Sequence, residues 1–319
     1  MRTFTSHRLD SSPIFILGLT LTVLSDFTLD APNRKVRSIP MASHCETYPI
    51  LLNEVPATAC DLAPLAFAGF AHFTALQVRG RRVKGLDLHL ARLKSASIEL
   101  FGRAPSDDTV MRSVRRAIEI GPQDQSLTVT AFSPEGEFTA ASGSTEPSLL
   151  VRTGPPSDGP RGPLRLSVVE HQRYHPGIKH VGEGAKTHYL CKAVAQGFDD
   201  AAFVDRHGRL GEATIWNLAF WDGRSVVWPR AQVLAGTMMG MIQRQLGGLG
   251  IAQRHEDVFL DGVKRFAGAA VLNSWSPGVA VTAFGPIAVP EAPAFMEVLR
   301  AAFEVEPVWL DAAEDRRVR

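Results

Sequence analysis

The amino-acid sequence, 319 residues long, predicts an α+β protein of two domains. Segments with helical periodicity are interspersed with short strand-like runs that end in tight turns. The stretch richest in Pro and Gly, residues 153–163, separates an N-terminal group of these segments from a C-terminal group and predicts a linker. We therefore expect a small N-terminal α/β domain over residues 45–152, a larger C-terminal domain over residues 164–310, and a frayed tail over residues 311–319.

The composition is typical of a soluble globular protein. Apolar residues make up 45% of the chain, and the formal net charge is +1. A charge so close to neutral gives no indication of a nucleic-acid partner or of an acidic surface. The three cysteines, Cys45, Cys60 and Cys191, are widely spaced, as in reduced thiols of a cytoplasmic protein. No histidines have the spacing of a metal site, so we expect no metal.

The N-terminal part of the chain reads as an extension. Residues 14–24 form an apolar run that imitates the core of a signal peptide but is too short to span a membrane. A polar, irregular stretch follows, and Met41 then opens a segment that resembles an ordinary protein start. We expect residues 1–44 to be disordered or mis-assigned, with a secretory signal as the alternative.

The chain is organised around Lys179 and Glu212, which are separated by 33 positions (212 − 179 = 33). Between them the pattern predicts a helix over residues 182–197 and strands over residues 201–205 and 210–214. Such a unit can return the two side chains to opposite sides of one pocket. A cofactor with a carbonyl carbon and a basic ring nitrogen would use the amine for a Schiff base and the carboxylate for the nitrogen. Pyridoxal phosphate fits this description.

Spacing by itself leaves a simpler interpretation open. A lysine at a junction between a loop and a helix is usually solvated, and a glutamate in a strand often faces water. Lys186 is a second lysine in the same region. The neighbouring residues are therefore needed to decide between a catalytic pair and two surface charges.

Three runs around this pair resemble a known family. They are Gly177-Ile-Lys-His180, Asp199-Asp-Ala-Ala-Phe-Val-Asp205 and Gly211-Glu-Ala-Thr-Ile-Trp-Asn217. Together they resemble the class IV aminotransferases, a family that includes the branched-chain and D-amino-acid aminotransferases and 4-amino-4-deoxychorismate lyase. The resemblance implies a two-domain α+β fold of the D-amino-acid aminotransferase type, with pyridoxal phosphate in the cleft between the domains. Lys186 lies too close to Glu212 for the family pattern, so Lys179 is the expected cofactor lysine.

A second signature lies in the first domain. Residues 73–93 resemble the lyase-type pattern of the family without a gap, and residues 86–96 predict an amphipathic helix. The resemblance implies that Arg92 binds the cofactor phosphate, which a guanidinium fork matches bidentately. Without Lys179 and Glu212 an exposed helical arginine would be the preferred interpretation. We expect the buried side of this helix to contain Leu86, Leu90, Leu93 and Ile98.

A third signature opens a helix in the second domain. Residues 233–238 resemble the family motif whose first helical amides bind the phosphate. A helix N-terminus favours an anion through its unpaired N–H groups and its dipole. We expect the backbone amides of Thr237 and Met238 to bind the cofactor phosphate, although the family's threonine is displaced and its arginine is replaced by Met239.

A loop over residues 273–278 supplies the last expected phosphate contact. The resemblance implies that a hydroxyl in this loop reaches the phosphate, which indicates Ser274. Capping of a tight turn is the alternative role for this serine. Residues 69–74 depart from the family's usual pocket wall, so the substrate stays open.

The remaining elements are predicted from periodicity and turn residues. We expect a helix over residues 106–121 with Ser106 as its N-cap, and a closing helix over residues 292–303. Residues 126–132 and 137–141 are predicted to be strands joined by a Ser-Pro-Glu-Gly turn.

Three functions follow from these observations. The first is an aminotransferase that moves an amino group between an amino acid or amine and a 2-oxo acid through a Lys179 Schiff base. The resemblance implies that it is a homodimer. The alternative is 4-amino-4-deoxychorismate lyase, which releases pyruvate and is favoured by the Lys179–Glu212 interval. A cofactor-binding protein without catalysis is the third, favoured by the altered motif at Thr237 and Met238. Substrate identity and stereochemistry are left open.

Overall fold

The computed structural model describes residues 47–66 and 69–311, which belong to one compact unit. The prediction for residues 1–44 and the predicted tail beyond Asp311 lie outside the described residues. Two large β-sheets and five α-helices form the described part of the chain. Within it, no helix combines the length and the apolar character needed to cross a lipid bilayer.

The first sheet is antiparallel, and two helices pack against it. Its five strands follow the order β2-β1-β6-β5-β3, which leaves β3 at one edge. Leu76, Leu93, Val114 and Val129 belong to the core between the sheet and the helices. The elements are β1 Ile50–Leu52, β2 Val55–Pro56, β3 Ala71–Val78, β4 Arg82–Lys84, α1 Leu86–Phe101, α2 Asp107–Ile120, β5 Gln125–Phe132 and β6 Ser148–Gly154.

The second sheet begins after the predicted linker and contains nine strands. The elements are β7 Leu164–Glu170, α3 Gly184–Ala195, β8 Asp200–Val204, β9 Leu210–Ala213, β10 Asn217–Trp221, β11 Ser225–Pro229, α4 Thr237–Leu246, β12 Ala252–Glu256, β13 Gly268–Asn273, β14 Ser276–Phe284, β15 Ile287–Ala288, α5 Pro293–Glu304 and β16 Val308–Asp311. Strand β16 pairs with β4 of the first part of the chain.

Six strands of the second sheet close into a ring. The order β10-β13-β14-β7-β8-β9 returns to its start because β9 also pairs with β10, at Glu212 and Asn217. Leu166, Phe220 and Val281 belong to the apolar core of these strands. Helices α4 and α5 contribute to a separate core with β10, β11 and β13. Closure of the ring therefore takes place at the predicted carboxylate, Glu212.

The N-terminus of α2 is capped as predicted. The Ser106 Oγ accepts a hydrogen bond from the Thr109 N–H at 3.1 Å. This bond satisfies one of the N–H groups that a helix leaves unpaired in its first turn. The predicted N-cap is therefore confirmed.

The predicted strand over residues 137–141 is wrong. Phe138 has a left-handed φ of 58°, and a short 3-10 helix forms over Ala140–Gly143. The Thr139 hydroxyl accepts a hydrogen bond from the Ala141 N–H at 3.3 Å. Such a local bond between a side chain and the backbone competes with strand pairing, which explains the error.

The predicted buried face of α1 is correct only in its first half. Leu86 and Leu93 are buried, Leu90 is half-buried, and Ile98 is 52% exposed. In the last turns the buried side is formed by Ala96, Ser97 and Phe101. Small side chains at two of these positions allow close packing, so the sequence pattern underestimates that face.

His72 predicts a loss of stability in acid. It is buried on β3, where it stacks on the Phe101 ring at 5.7 Å and shares a 2.9 Å hydrogen bond with the Ser97 hydroxyl. Its pKa is lowered to about 4, first by burial and then by the charges of His180 and Arg92. In the unfolded chain His72 therefore becomes protonated below about pH 6.5, whereas in the folded chain it becomes protonated only near pH 4. The part of the folding stability that depends on neutral His72 is fully present above pH 6.5 and is lost as the pH falls from about 6.5 to about 4.

We expect His72→Gln to reduce this acid loss by about 3 kcal/mol. The measurement is the free energy of unfolding from urea titrations between pH 7 and pH 4. His207, exposed in a hairpin turn, provides the control His207→Gln, which should keep the wild-type pH dependence. If the free energy of unfolding of the His72 variant depends on pH as it does in wild type, His72 becomes protonated in the folded protein as readily as in the unfolded chain, and the prediction fails.

Candidate active site

Five of the six predicted site residues line one cavity. It has a volume of about 160 Å³ and lies between edge strand β3, the segment carrying Lys179, the start of α4 and the turn between β13 and β14. Glu212 is not part of this lining, but its bridge partner Asn217 is. The five residues are Arg92, Lys179, Thr237, Met238 and Ser274.

The segment that contains Lys179 adds to the free edge of β3. The Phe73 N–H donates to the Lys179 carbonyl at 2.9 Å, and the Val181 N–H donates to the Ala71 carbonyl at 2.8 Å. The Lys179 Nζ lies 4.9 Å from the centroid of the Phe73 ring. These two hydrogen bonds flank His180 and fix the backbone from the Lys179 carbonyl onward, which limits the directions that the Lys179 side chain can take.

The environment of Lys179 favours a neutral amine. Its pKa is lowered to about 7, first by burial and then by the positive charges of Arg92, Lys186 and Arg173, with Glu183 acting in the opposite direction. A substantial fraction of this amine is therefore unprotonated at neutral pH. The unprotonated form is the one that attacks a carbonyl carbon.

A candidate anion site surrounds the start of α4. The N-cap, Gly236, makes no side-chain capping bond, so the first N–H groups of the helix have no capping partner. The hydroxyls of Thr237 and Ser274 lie 3.3 Å apart on its rim. The helix amides and these two hydroxyls are potential hydrogen-bond donors around one cavity, as an anion requires.

Arg92 completes this anion site. Its Nη2 donates to the Thr74 hydroxyl, whereas its Nε is buried and has no hydrogen-bond partner. Burial, together with the charge of Arg173, lowers the pKa of Arg92 to about 10, so it is still a cation at neutral pH. A buried guanidinium N–H without an acceptor is costly, and a phosphate would supply the acceptor. The residues present therefore fit a phosphate group.

Gly236 and Asn217, which were not predicted as site residues, determine the shape of this anion site. The Asn217 Nδ2 donates to the Leu234 carbonyl at 2.8 Å and so holds the loop before α4. A Cβ atom at Gly236 would overlap the Asn217 Oδ1. The signal was in the sequence, because Asn217 and Gly236 both belong to runs that resemble family motifs.

We expect Gly236→Ala to destabilise the protein by about 1–3 kcal/mol, since overpacking would displace Asn217 or the loop. Urea titration measures the change. Gly247→Ala at the other end of α4 is the matched control, because no atom lies within 4 Å of a Cβ there and the glycine has a helical φ of −61°. Equal stability of the two variants would mean that the packing at Gly236 relaxes without cost.

Glu212 occupies a buried charge cluster next to the cavity. Its Oε1 lies 3.6 Å from the Arg173 Nε and 3.8 Å from the Lys186 Nζ. Lys179, which is also in the described part of the chain, makes no ion pair with it. Burial raises the pKa of Glu212, while Lys186 and then Arg173 act to lower it. The cations beside it thus oppose the protonation that burial favours.

Arg173 connects this cluster to the segment that contains Lys179. Its Nη1 donates to the Pro176 carbonyl at 3.1 Å, and its Nη2 donates to the Ile178 carbonyl. The side chain is only 2% exposed. Its hydrogen bonds to these two carbonyls are those of a turn-stabilising residue. It holds the backbone directly before Lys179.

Comparison with known proteins identifies the family to which this chain belongs. The family model described as amino-transferase class IV matches residues 71–284. The chain therefore belongs to the class IV aminotransferases, and the fold predicted from the sequence is confirmed. No curated protein matches the sequence.

Solved structures with the same fold include two kinds of enzyme. A branched-chain aminotransferase from Thermoproteus uzoniensis, solved with norvaline, has a TM-score of 0.71 at 16% identity, with 80% of this chain and 93% of that chain covered. A branched-chain amino acid aminotransferase from Escherichia coli has a TM-score of 0.69 at 17% identity, with 82% and 94% covered. A candidate 4-amino-4-deoxychorismate lyase from Legionella pneumophila has a TM-score of 0.66 at 16% identity, with 75% and 92% covered. Identities this low show a shared fold.

One further structure of this fold carries a form of the expected cofactor. It is a branched-chain amino acid aminotransferase solved with pyridoxamine 5'-phosphate, with a TM-score of 0.69 at 14% identity. The match covers 80% of this chain and 92% of that chain. A fold shared with a pyridoxamine-phosphate-bound enzyme supports pyridoxal phosphate as the cofactor.

Proposed function

We propose that this chain is a pyridoxal-phosphate-dependent aminotransferase that transfers an amino group between an amino acid or amine and a 2-oxo acid. One observation carries the proposal: an amine with a pKa near neutral, Lys179, shares a cavity with the unpartnered Nε of Arg92 and the uncapped start of α4. An aldehyde cofactor with a phosphate group would react with the amine and would bind its phosphate to the other two groups. The branched-chain enzyme of the same fold that was solved with pyridoxamine 5'-phosphate carries the amine form of this cofactor.

The site residues would divide the binding of the cofactor among themselves. Arg92, the amides of Thr237 and Met238, and the Ser274 hydroxyl would hold the phosphate. Glu212 would hold a proton on the ring nitrogen, since an ionised carboxylate accepts that hydrogen bond. When bound, pyridoxal phosphate supplies an aldehyde for exchange with amines and a ring that takes up the electron pair of the substrate α-carbon.

Lys179 would have two roles in the reaction. Its neutral amine is the nucleophile toward the cofactor carbonyl, and burial makes this form available near pH 7. Once substrate has displaced it, the same amine would accept the α-proton and return it to the cofactor side. Pairing of the Lys179 segment with β3 would hold the backbone of this lysine in place during both steps.

The deciding experiment is to add pyridoxal phosphate to the purified protein, reduce with borohydride and map the modified peptide. We expect an absorption band that is lost on reduction and a stable pyridoxyl group on Lys179. Amino-group transfer to a set of 2-oxo acids then tests the reaction. A protein that neither binds the cofactor nor transfers an amino group would contradict the proposal, and one that binds without turnover would be a non-catalytic binder.

A second candidate function is 4-amino-4-deoxychorismate lyase. It is favoured by the 33-residue interval between Lys179 and Glu212 (212 − 179 = 33) and by the lyase-type pattern over residues 73–93. The candidate lyase from Legionella pneumophila shares the fold. Release of pyruvate from aminodeoxychorismate, without transfer to a 2-oxo acid, would favour this function over the first.

We also propose a cytoplasmic homodimer. Helix α3 has a single buried residue, Ala193, and the apolar side chains of Val181, Val194 and Tyr174 near it are 42%, 57% and 88% exposed. A second copy of the chain would cover such a surface. Sedimentation velocity tests the dimer, and cell fractionation tests the compartment suggested by the unpaired Cys60 and Cys191.

A further inference from the structure

A closed cluster of four charged side chains lies beside the cavity. It consists of Arg173, Glu183, Lys186 and Glu212, whose side chains are 2%, 21%, 12% and 7% exposed. Two cations balance two carboxylates, so the cluster is neutral as a whole. Charges this far from water are stable only when every one of them is paired.

Glu183 links the two cations of the cluster. It accepts a hydrogen bond from the Arg173 Nε at 2.7 Å, and its other oxygen lies 3.2 Å from the Lys186 Nζ. The Glu183–Lys186 pair has i,i+3 spacing at the start of α3, which places both side chains on one face of the helix. Lys186 is thereby directed away from solvent and toward Glu212.

The two cations differ in what else they bind. Arg173 also donates hydrogen bonds to carbonyls of the turn before Lys179. Lys186, in contrast, has Glu183 and Glu212 as its ion-pair partners in the described part of the chain. Immobilising a lysine side chain costs rotamer entropy, which a solvated helical lysine would avoid. The burial of Lys186 therefore requires an explanation that its sequence position does not provide.

We propose that Lys186 is a positioning residue: its ammonium group, held by Glu183, keeps the Glu212 carboxylate ionised for the ring nitrogen of pyridoxal phosphate. This inference rests on the proposed function. It assigns a role to the lysine that the family spacing excludes as the cofactor lysine. Lys186 acts through Glu212 and needs no contact with substrate.

The electrostatics of the site support this role. Among the charges that lower the pKa of Glu212 against its burial, that of Lys186 is the largest, followed by Arg173. Lys186 also lowers the pKa of Lys179, after burial and Arg92. One ammonium group thus favours both states that the proposed chemistry needs, an ionised carboxylate and a neutral amine.

The test compares two cofactors that differ only at the ring nitrogen. Binding of pyridoxal phosphate and of its analogue with carbon in place of that nitrogen is measured by fluorescence titration. We expect Lys186→Met to weaken pyridoxal phosphate about tenfold more than the carbon analogue, a difference of about 1.4 kcal/mol, because its effect on Lys179 is common to both cofactors and its effect on Glu212 concerns only the one with the ring nitrogen. Lys186→Arg, which keeps the charge, should restore most of the loss, and Lys192→Met on the exposed side of α3 should bind like wild type.

Several outcomes would overturn the inference. Equal weakening of both cofactors would mean that Lys186 is merely structural, and no weakening would mean that Glu212 does not depend on it. If Lys186→Met does not fold, Lys186→Gln replaces it, because it removes the charge beside Glu212 but keeps a polar side chain, and it should give the same nitrogen-specific loss.

A second readout needs no cofactor. Acylation of Lys179 by acetic anhydride, followed by mass spectrometry across pH, reports the protonation of this amine in the free protein. In Lys186→Met we expect the midpoint to move to higher pH, because the nearby charges of Arg92, Arg173 and Glu183 remain while one cation is lost. An unmoved midpoint would argue against the inference.

The two levels of the proposal fail in different ways. If wild-type protein takes up no pyridoxal phosphate on Lys179, the proposed function fails. If wild type is labelled on Lys179 and Lys186→Met binds both cofactors like wild type, only the inference on Lys186 fails. A pyridoxyl group found on Lys186 itself would overturn both.

Discussion

Lys179→Met is expected to abolish the borohydride-stable pyridoxyl label and to lower the rate of amino-group transfer by at least about 10³-fold. The variant removes both the nucleophile and the base that moves the α-proton, and a positioned base alone contributes about 10²–10⁴-fold. Reduction with borohydride, peptide mapping and single-turnover kinetics measure the two effects. Methionine has a similar length, so the cavity next to Phe73 stays filled.

The same variant should fold at least as well as wild type. Burying Lys179 lowers its pKa to about 7, so the folded protein loses stability as the pH falls from 10.5 toward 7, where only the unfolded chain is fully protonated. Removing the amine removes that cost. Lys192→Met, at an exposed position near the end of α3, is the control and should keep label and activity. A Lys179 variant that retains the label would contradict the assignment. If the variant were inactive only because it does not fold, its free energy of unfolding would be lower than that of the Lys192→Met control.

Arg92→Met is expected to weaken pyridoxal phosphate about 10–100-fold more than pyridoxal, which lacks the phosphate and shares only the effect of Arg92 on the pKa of Lys179. A hydrogen bond to a charged group contributes roughly 1.5–3 kcal/mol, and about 1.4 kcal/mol corresponds to a factor of ten. The unpartnered Nε of Arg92 is the donor that the phosphate would satisfy. Titration of absorbance or fluorescence with each ligand gives the two dissociation constants.

Two comparisons make this result specific. Lys94→Met changes an exposed cation on the same helix, α1, and should bind both ligands like wild type. Arg92→Lys keeps the charge without the fork and should recover part of the affinity. If pyridoxal and pyridoxal phosphate weaken together, Arg92 acts through the hydrogen bond to Thr74 and the packing of α1 on β3 rather than through the phosphate.

Much of the fold follows from local features of the sequence. The boundaries of α2 agree with its cap at Ser106, and α4 begins at Thr237, within the motif that predicted its start. Both features act within a few residues, so they survive in any tertiary context. The strand predicted over residues 137–141 failed because a hydrogen bond between Thr139 and Ala141 replaced the ladder, and alternation cannot reveal that competition.

The sequence by itself determined the family, the candidate lysine and the carboxylate, because Lys179 and Glu212 lie in motifs with characteristic neighbours. It also identified Arg92, Thr237, Met238 and Ser274 as members of one site, and the structure brings these four together with Lys179 around one cavity.

Only the tertiary structure decided what surrounds these residues. The pairing of Lys179 with edge strand β3, the closure of the ring at Glu212 and Asn217, and the contact of Lys186 with Glu212 all join residues through packing. Lys186 illustrates the difference: sequence spacing made it a rejected alternative, whereas burial turned it into the partner of the carboxylate. The pKa of a side chain and its choice of partner depend on desolvation and on charges from other elements, and a pattern along one chain contains neither.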